Sequence, residues 1–233
     1  MAKEEIVYWG VHQNIPQAIH AELPDTALKS ILAGKTADAL SFPHCPAFRD
    51  TFANVFAVKS WFDYKLEIVD GKLMTDDYGA DFYRQLIVNH ATNERVWGMG
   101  QLQIFIAESD SLKMTQEHPA LTRTGWANSV QVIPGTIDIG KYARTLECGF
   151  YALPDTKVID LKRGDPLYFA RFHTDSKIKI VPFLYTDRME EILRGTAIRA
   201  RGKRHTPLAT YYEAFKRHRL KSLVLREVKA NVG

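Results

Sequence analysis

The segment DLKRGDPLYFARFHTDSKIKIVPF, residues 160–183, marks a change in the character of the chain. Its apolar residues recur at strand spacing on both sides of a short polar interruption, which predicts two β-strands joined by a tight turn. The residues before it are rich in strand patterns, whereas the residues after it are rich in helical patterns and in Lys and Arg. We therefore expect a β-rich body that ends near this segment and a basic helical extension that follows it.

Short strand patterns separated by turn residues run through the first part of the chain. The clearest is a hairpin in which residues 64–68 and 72–74 flank Asp70-Gly71, a pair typical of two-residue β-turns. About eight to ten such strands, without alternating helices, favour a sandwich or barrel over a fold of βαβ units. We expect a mainly β protein, with a β-sandwich or jelly-roll-like domain over residues 1–185 and a helical extension over residues 186–233.

A long polar stretch, residues 108–127, interrupts the strand patterns. It contains His118-Pro119 and Gly125-Trp126 and shows neither strand nor helix periodicity, so we expect a connection there. Connections of this length in compact domains are often functional.

The extension contains two helical patterns. The first, residues 190–201, is consistent with a short helix. A second helix is expected to begin near Thr206, a good N-cap, with Pro207 at its first helical position. Its apolar residues continue through Phe215 to Val228, and this stripe must pack against the sheet or against another subunit.

The charge of the chain is unevenly distributed. From residue 188 to the end there are 12 Lys and Arg and 4 Glu, a net charge of +8, whereas residues 1–187 carry 19 basic and 23 acidic groups, a net charge of −4. A positive extension on a negative body indicates an anionic partner, such as nucleic acid, an acidic protein surface or the body of a neighbouring copy. The alternative is a solvated helix surface that is simply rich in Lys and Arg.

The composition excludes several classes of protein. No apolar run is long enough to span a membrane, and the acidic start of the chain does not match a signal peptide. The two cysteines, Cys45 and Cys148, are too few for a disulfide framework and are expected to be buried thiols. We expect the protein in the cytoplasm of a host cell or in a virion assembled there.

Three segments together resemble a known group of proteins. They are FPHCPAFRDTFANVFAVKSWFDYKLEI (42–68), IPGTIDIGKYARTLECGFYAL (133–153) and IDLKRGDPLYFARFHTDSKIKIVPF (159–183). In combination they are similar to a family encoded by large tailed bacteriophages, especially marine ones, for which no activity is established. The resemblance covers about residues 40–185 and extends to the basic tail. It implies a phage origin and a β-rich fold, and it carries no catalytic residue over to this chain.

His173-Thr174-Asp175 is the most suggestive short motif. His173 and Asp175, two apart at a strand end, can supply two of the three facial ligands of an iron- and 2-oxoglutarate-dependent oxygenase. The candidates for a third ligand, and for an arginine that binds the co-substrate carboxylate, are His205, His218, Arg204 and Arg219. The cofactor would be Fe(II) under this interpretation and is otherwise unknown. The alternative is an exposed polar turn between two strands.

The basic residues of the extension form the second candidate site. They combine Lys and Arg with aromatic residues, a composition that suits phosphate contact and base stacking, although Tyr211 and Phe215 have the spacing of residues that pack inward. The residues expected to contact nucleic acid or a protein partner are Arg199, Arg201, Lys203, Arg204, Lys216, Arg217, Arg219 and Lys221.

The sequence favours a phage-encoded binding or structural module over an enzyme. Such a module would be virion-associated or would interact with the host, and would assemble through its β body and its basic C-terminal helix. We expect self-association or binding to another phage protein, nucleic acid as a further possible partner, and no membrane. The alternatives are an Fe(II)- and 2-oxoglutarate-type oxygenase that uses the HxD motif and a nucleic-acid-binding accessory protein.

Overall fold

The structure is a computed structural model that describes residues 4–12, 21–33, 45–75, 87–89, 95–199 and 207–233. The described residues form a mainly β protein with several antiparallel or mixed sheets and C-terminal helices, as the sequence predicts. Among these residues, no helix has the length and apolar character needed to cross a membrane.

Before the C-terminal helices the described residues are mostly strands, with a few short helices among them. The strands are β1 (Glu4–His12), β2 (Asp25–Thr26), β3 (Val55–Lys59), β4 (Tyr64–Val69), β5 (Lys72–Met74), β6 (Ile87–Asn89), β7 (Val96–Ala107), β8 (Lys113–Glu117), β9 (Val130–Val132), β10 (Gly135–Asp138), β11 (Thr145–Ala152), β12 (Val158–Leu161), β13 (Pro166–Phe172) and β14 (Lys177–Tyr185). The helices are α1 (Ala27–Leu32), α2 (Pro46–Thr51), α3 (Gly125–Ser129), α4 (Asp187–Arg199), α5 (Leu208–Arg217) and α6 (Leu220–Ala230).

The strands of the described residues form three sheets. Sheet A has the order β14-β1-β7-β11-β9, with β6 also paired to β7, and its β1–β14 pair is parallel. Sheet B has the order β10-β8-β13-β3-β2, and sheet C has the order β12-β4-β5. All the other pairs are antiparallel. Consecutive strands therefore often lie in different sheets.

The segment at residues 160–183 contains strands, but its last two are not a hairpin. β13 pairs with β3 on one edge and β8 on the other, so it has no edge left for β14. β14 instead pairs with β1 in sheet A, and residues 173–176 cross from one sheet to the other. The expectation of two adjacent strands joined by a tight turn is therefore wrong.

Asn54 holds this crossing in place. Its amide Nδ2 donates hydrogen bonds to the carbonyl oxygens of Thr174, at 2.9 Å, and Ser176, at 2.8 Å. Its Oδ1 accepts a hydrogen bond from the backbone N–H of Ile178 at 3.1 Å. Asn54 has a φ of 54°, a conformation that Asn tolerates better than most residues. One side chain before β3 in sheet B thus fixes the start of β14 in sheet A.

The hairpin at Asp70-Gly71 is confirmed. β4 and β5 pair up to Val69 and Lys72, which leaves a two-residue loop. Asp70 has a φ of 48° and Gly71 a φ of 73°, the two positive values that a type I′ turn requires.

Residues 108–127 contain more regular structure than expected. They include β8 and the start of α3, in which the Thr124 hydroxyl accepts a hydrogen bond from the Ala127 N–H at 3.1 Å. Met114 and Gln116 are the inward-facing residues of β8, and both are buried. The strand was missed because Gln occupies one of its two buried positions, so the sequence does not alternate between apolar and polar residues.

The main hydrophobic cluster contains side chains from all three sheets. Trp97 of sheet A, Tyr168 of sheet B and Leu66 of sheet C are each almost fully buried in it. The buried indole of Trp9 donates to the side-chain Oε1 of Gln103 at 2.7 Å, which satisfies a polar group inside the cluster. Cys148 is buried here as expected, whereas Cys45 is exposed, because it precedes a helix with no buried residue.

The second cluster joins the C-terminal helices to the outer face of sheet A. It contains Ile104, Ile106 and Phe183 from the sheet, and Phe215 and Val224 from the helices. The sequence left two surfaces open for the apolar stripe, the sheet of the same chain and another subunit. The structure shows the stripe packed against the sheet of the same chain. The predicted single helix is divided at residues 218–219, where Arg219 has a φ of 51°. The sequence has no Gly or Pro at this break, so the break could not be predicted from helix-breaking residues.

We predict that Asn54→Ala lowers the free energy of unfolding by about 3 kcal/mol or more, because three hydrogen bonds worth about 1 kcal/mol each are lost and Ala tolerates the φ of 54° less well than Asn. Denaturant unfolding at neutral pH measures the change. Asn54→Gly is the control, since it keeps the backbone freedom and removes the same hydrogen bonds. An Asn54→Gly protein as stable as the wild type would show that the bonds across the crossing contribute little.

Candidate binding site on the C-terminal helices

Three exposed cations surround the junction between α5 and α6. Lys216 and Arg217 end α5, and Arg219 precedes α6 in a left-handed conformation. In the part of the chain that the structure describes, none of these side chains forms an ion pair. We call Lys216, Arg217 and Arg219 the cationic corner.

Two of the three cations of α6 are paired with acidic groups of the β body. The ammonium of Lys221 contacts the Asp110 carboxylate at 2.6 Å and also donates to the Ser109 carbonyl oxygen. Lys229 pairs with Glu108. The positive extension thus meets the negative body within one chain, and Lys221 is used in holding α6 to the residues that follow β7.

The hydrogen bond from Lys221 lowers the pKa of the Asp110 carboxyl. In the same way, the hydrogen bond to Glu108 raises the pKa of Lys229. Both pairs are exposed on at least one side, so each contributes modestly to stability.

The structure describes only one of the other basic residues expected at the site. Arg199 is the last residue of α4. The other three, Arg201, Lys203 and Arg204, lie outside the described residues, as does His205. The described part of the site therefore consists of the cationic corner and Lys221.

A groove of about 860 Å³ lies beside the cationic corner. One wall is formed by α5 and the first turns of α6, and the other by the turns at residues 108–110 and 140–141. Gly140 allows these two turns to pack closely, because a Cβ at this position would lie 2.7 Å from the carbonyl carbon of Asp110. The second wall is therefore a compact unit.

Asp138 and Tyr212 connect the groove to sheet B. Asp138 is 6% exposed, and its carboxylate accepts hydrogen bonds from the Lys141 backbone N–H at 3.1 Å and from Lys141 Nζ at 2.7 Å. The Asp138 backbone N–H donates to the hydroxyl oxygen of Tyr212 at 3.0 Å. Because Tyr212 accepts this bond, its own hydroxyl hydrogen can donate to a ligand in the groove.

The aromatic residues near the site pack on one another. Tyr142 stacks on Tyr211 with ring centroids 5.8 Å apart and contacts Phe215 edge-on at 5.5 Å. Burial raises the pKa of the Tyr142 hydroxyl. The inward packing of Tyr211 and Phe215 agrees with their spacing, and these contacts occupy ring surface that base stacking would need.

The His173 and Asp175 side chains are both exposed at the crossing between β13 and β14. His173 Nε2 is 2.6 Å from the hydroxyl oxygen of Thr115. The described residues contain no group of three or more His, Cys, Asp or Glu side chains placed to hold a metal ion. His218, the C-cap residue after α5, is therefore not brought together with the HxD pair, and His205 lies outside the described residues.

Sequence reasoning missed the acidic side of the site. Glu108 and Asp110 lie in the stretch interpreted as a connection, and Asp138 lies in a segment that forms β10. The only signal was the opposite charge of body and tail, which predicts attraction without identifying the partners.

The site combines a groove, a hydroxyl donor and cations that have no partner among the described residues. These groups can bind an anionic ligand. Comparisons of the chain with protein-family models, with curated proteins and with solved structures find no match.

We predict that Lys221→Met lowers the free energy of unfolding by about 1 kcal/mol, because Asp110 and the Ser109 carbonyl lose their donor. The matched substitution Lys216→Met is expected to change it by less than about 0.5 kcal/mol, since Lys216 has no ion pair in the described structure. Urea unfolding of the two variants checks the difference. Equal losses would contradict the assignment of different roles to the two lysines.

The free energy of unfolding that is lost in Lys221→Met is expected to become smaller as the pH falls. Because the folded-state pKa of Asp110 lies below its ordinary value of 3.8, the stabilisation is fully present above that value and is lost as the pH falls through the lowered pKa. The gap in the free energy of unfolding between wild type and Lys221→Met should therefore narrow as the pH falls below the ordinary pKa of 3.8. A gap that widens on acidification would contradict this.

Proposed function

We propose that the protein is a phage-encoded binding module that joins an assembly, in the virion or in the host cytoplasm, by contacting an acidic protein surface with its cationic corner. The resemblance of three segments to a phage family supports the origin. Within this proposal the body is a β-sandwich, which the hydrophobic cluster shared by sheets A, B and C supports.

The observation that carries the proposal is the contrast between paired and unpaired cations. Lys221 and Lys229 pair with the body, whereas Lys216, Arg217 and Arg219 remain exposed without ion pairs among the described residues. Three like charges at one helix junction repel one another, and an external anionic surface relieves this repulsion. An acidic partner therefore offers the cationic corner a favourable electrostatic contact.

A protein partner fits this surface better than nucleic acid does. Glu213 is exposed one turn before the corner, and Glu108 and Asp110 line the adjacent groove. Glu213 has no ion pair among the described residues, so a protein surface that places a basic group near it, among acidic ones, fits better than the uniform charge of closely spaced phosphates. The partner can be a second copy, since residues 1–187 carry a net charge of −4, or another phage protein.

We predict that the wild-type protein binds poly-L-glutamate in a salt-dependent manner. The triple substitution Lys216→Glu, Arg217→Glu and Arg219→Glu should weaken this binding by at least about tenfold, because three attractive contacts become repulsive. Surface plasmon resonance on immobilised polymer measures the affinity.

The control triple Lys72→Glu, Lys113→Glu and Lys177→Glu changes the net charge by the same amount at exposed positions on three different sheets. It should lose much less affinity than the corner variant. Equal losses would show that only net charge matters and would overturn the proposal. Tighter binding to a DNA duplex than to poly-L-glutamate, lost in the corner variant, would favour the nucleic-acid alternative instead.

A further inference from the structure

We infer that the groove beside the cationic corner binds an extended acidic peptide segment that carries an apolar side chain. This inference rests on the proposed function and specifies its ligand. Three observations support the inference. They are the groove itself, its apolar lining and the distribution of charge around it.

The inner surface of the groove is apolar. Phe215, Leu225 and the ring of Tyr212 contribute to its lining. Phe215 is buried in the cluster that joins the helices to sheet A, and Leu225 and Tyr212 are half-buried against the same cluster. An apolar side chain placed here would bury further area without opening the core, and each buried methylene group is favourable.

The charges around the groove are partly compensated from within the protein. Lys221 pairs with Asp110, Lys141 with Asp138, and Glu108 with Lys229. Among the described residues this leaves Lys216, Arg219 and Glu213 of the lining without an ion pair. Two cations against one carboxylate, next to Arg217, favour a ligand with more acidic than basic groups.

The groove also offers a directional hydrogen bond. The Tyr212 hydroxyl accepts from the Asp138 backbone N–H at 3.0 Å, which fixes its position and leaves its hydrogen to donate. A peptide carbonyl oxygen is a suitable acceptor. A ligand with such an acceptor would be held by this bond as well as by charge.

The walls of the groove are held in place before any ligand binds. Gly140 lets two turns pack closely, and the Lys221–Asp110 pair links α6 to the opposite wall. A preformed site loses less entropy on binding than one that must be ordered. The volume of about 860 Å³ is sufficient for a few residues of a peptide.

The probe is a fluorescein-labelled peptide, Glu-Asp-Leu-Phe-Asp-Glu, compared with Glu-Asp-Ser-Gly-Asp-Glu of the same charge. Fluorescence anisotropy with the complete protein should show that the apolar peptide binds at least about tenfold more tightly, because only it fills the groove. Equal affinities would overturn the inference.

The groove variant is Ser222→Trp, in which an indole is introduced from an exposed position of the lining. It should weaken binding of the apolar peptide by at least about tenfold, while affinity for poly-L-glutamate stays within about twofold. The control Ala230→Trp adds the same ring at an exposed position of α6 outside the lining and should leave both affinities unchanged.

The outcomes separate this inference from the proposed function. Unchanged peptide binding in Ser222→Trp would overturn the groove as the site, even if poly-L-glutamate binding still depends on the cationic corner. If the wild type binds neither of the two peptides nor poly-L-glutamate, the proposed function and this inference are both overturned.

Discussion

The fold depends on a sheet that is apolar on both faces. Along β1, Val7 and Trp9 enter the main cluster while Tyr8 points to the opposite face. Along β7, Phe105 lies in the main cluster, between residues that face the helices. Such a sheet must be covered on both sides, because water on either face would leave large side chains exposed. Sheets B and C contribute to the cover on one face, and the C-terminal helices provide it on the other.

This constraint determines what the C-terminal helices can offer a partner. Their apolar stripe is used within the chain, in the cluster that contains Phe215, Val224 and Val228. Two lysines of α6 are used to anchor it to the acidic turn after β7. Among the described residues, the surface of these helices that serves the proposed recognition is therefore the cationic corner, with the apolar lining of the groove beside it. Fold and proposed function are linked through the distribution of charge on α5 and α6.

Features set by neighbouring residues could be predicted from the sequence, whereas features set by distant ones could not. The turn at Asp70-Gly71 follows from the conformations those two residues favour. The separation of β13 and β14 depends on β3 and β8, which occupy both edges of β13, and no local pattern encodes this. β8 was also not predicted, because one of its two buried positions is Gln116 and not an apolar residue. At the site, the excess of positive charge was visible, but its division into paired and unpaired cations depends on Glu108 and Asp110, more than 100 residues away in the chain.

The C-terminal helices are integral to the fold because they cover sheet A. Native-state hydrogen exchange as a function of denaturant tests this dependence. The amides of Val224 and Val228 in α6 are expected to open at nearly the same free energy as those of Phe105 and Ile106 in β7, since one cluster joins helix and sheet. Exchange of the α6 amides at a much lower free energy, while β7 stays protected, would contradict it.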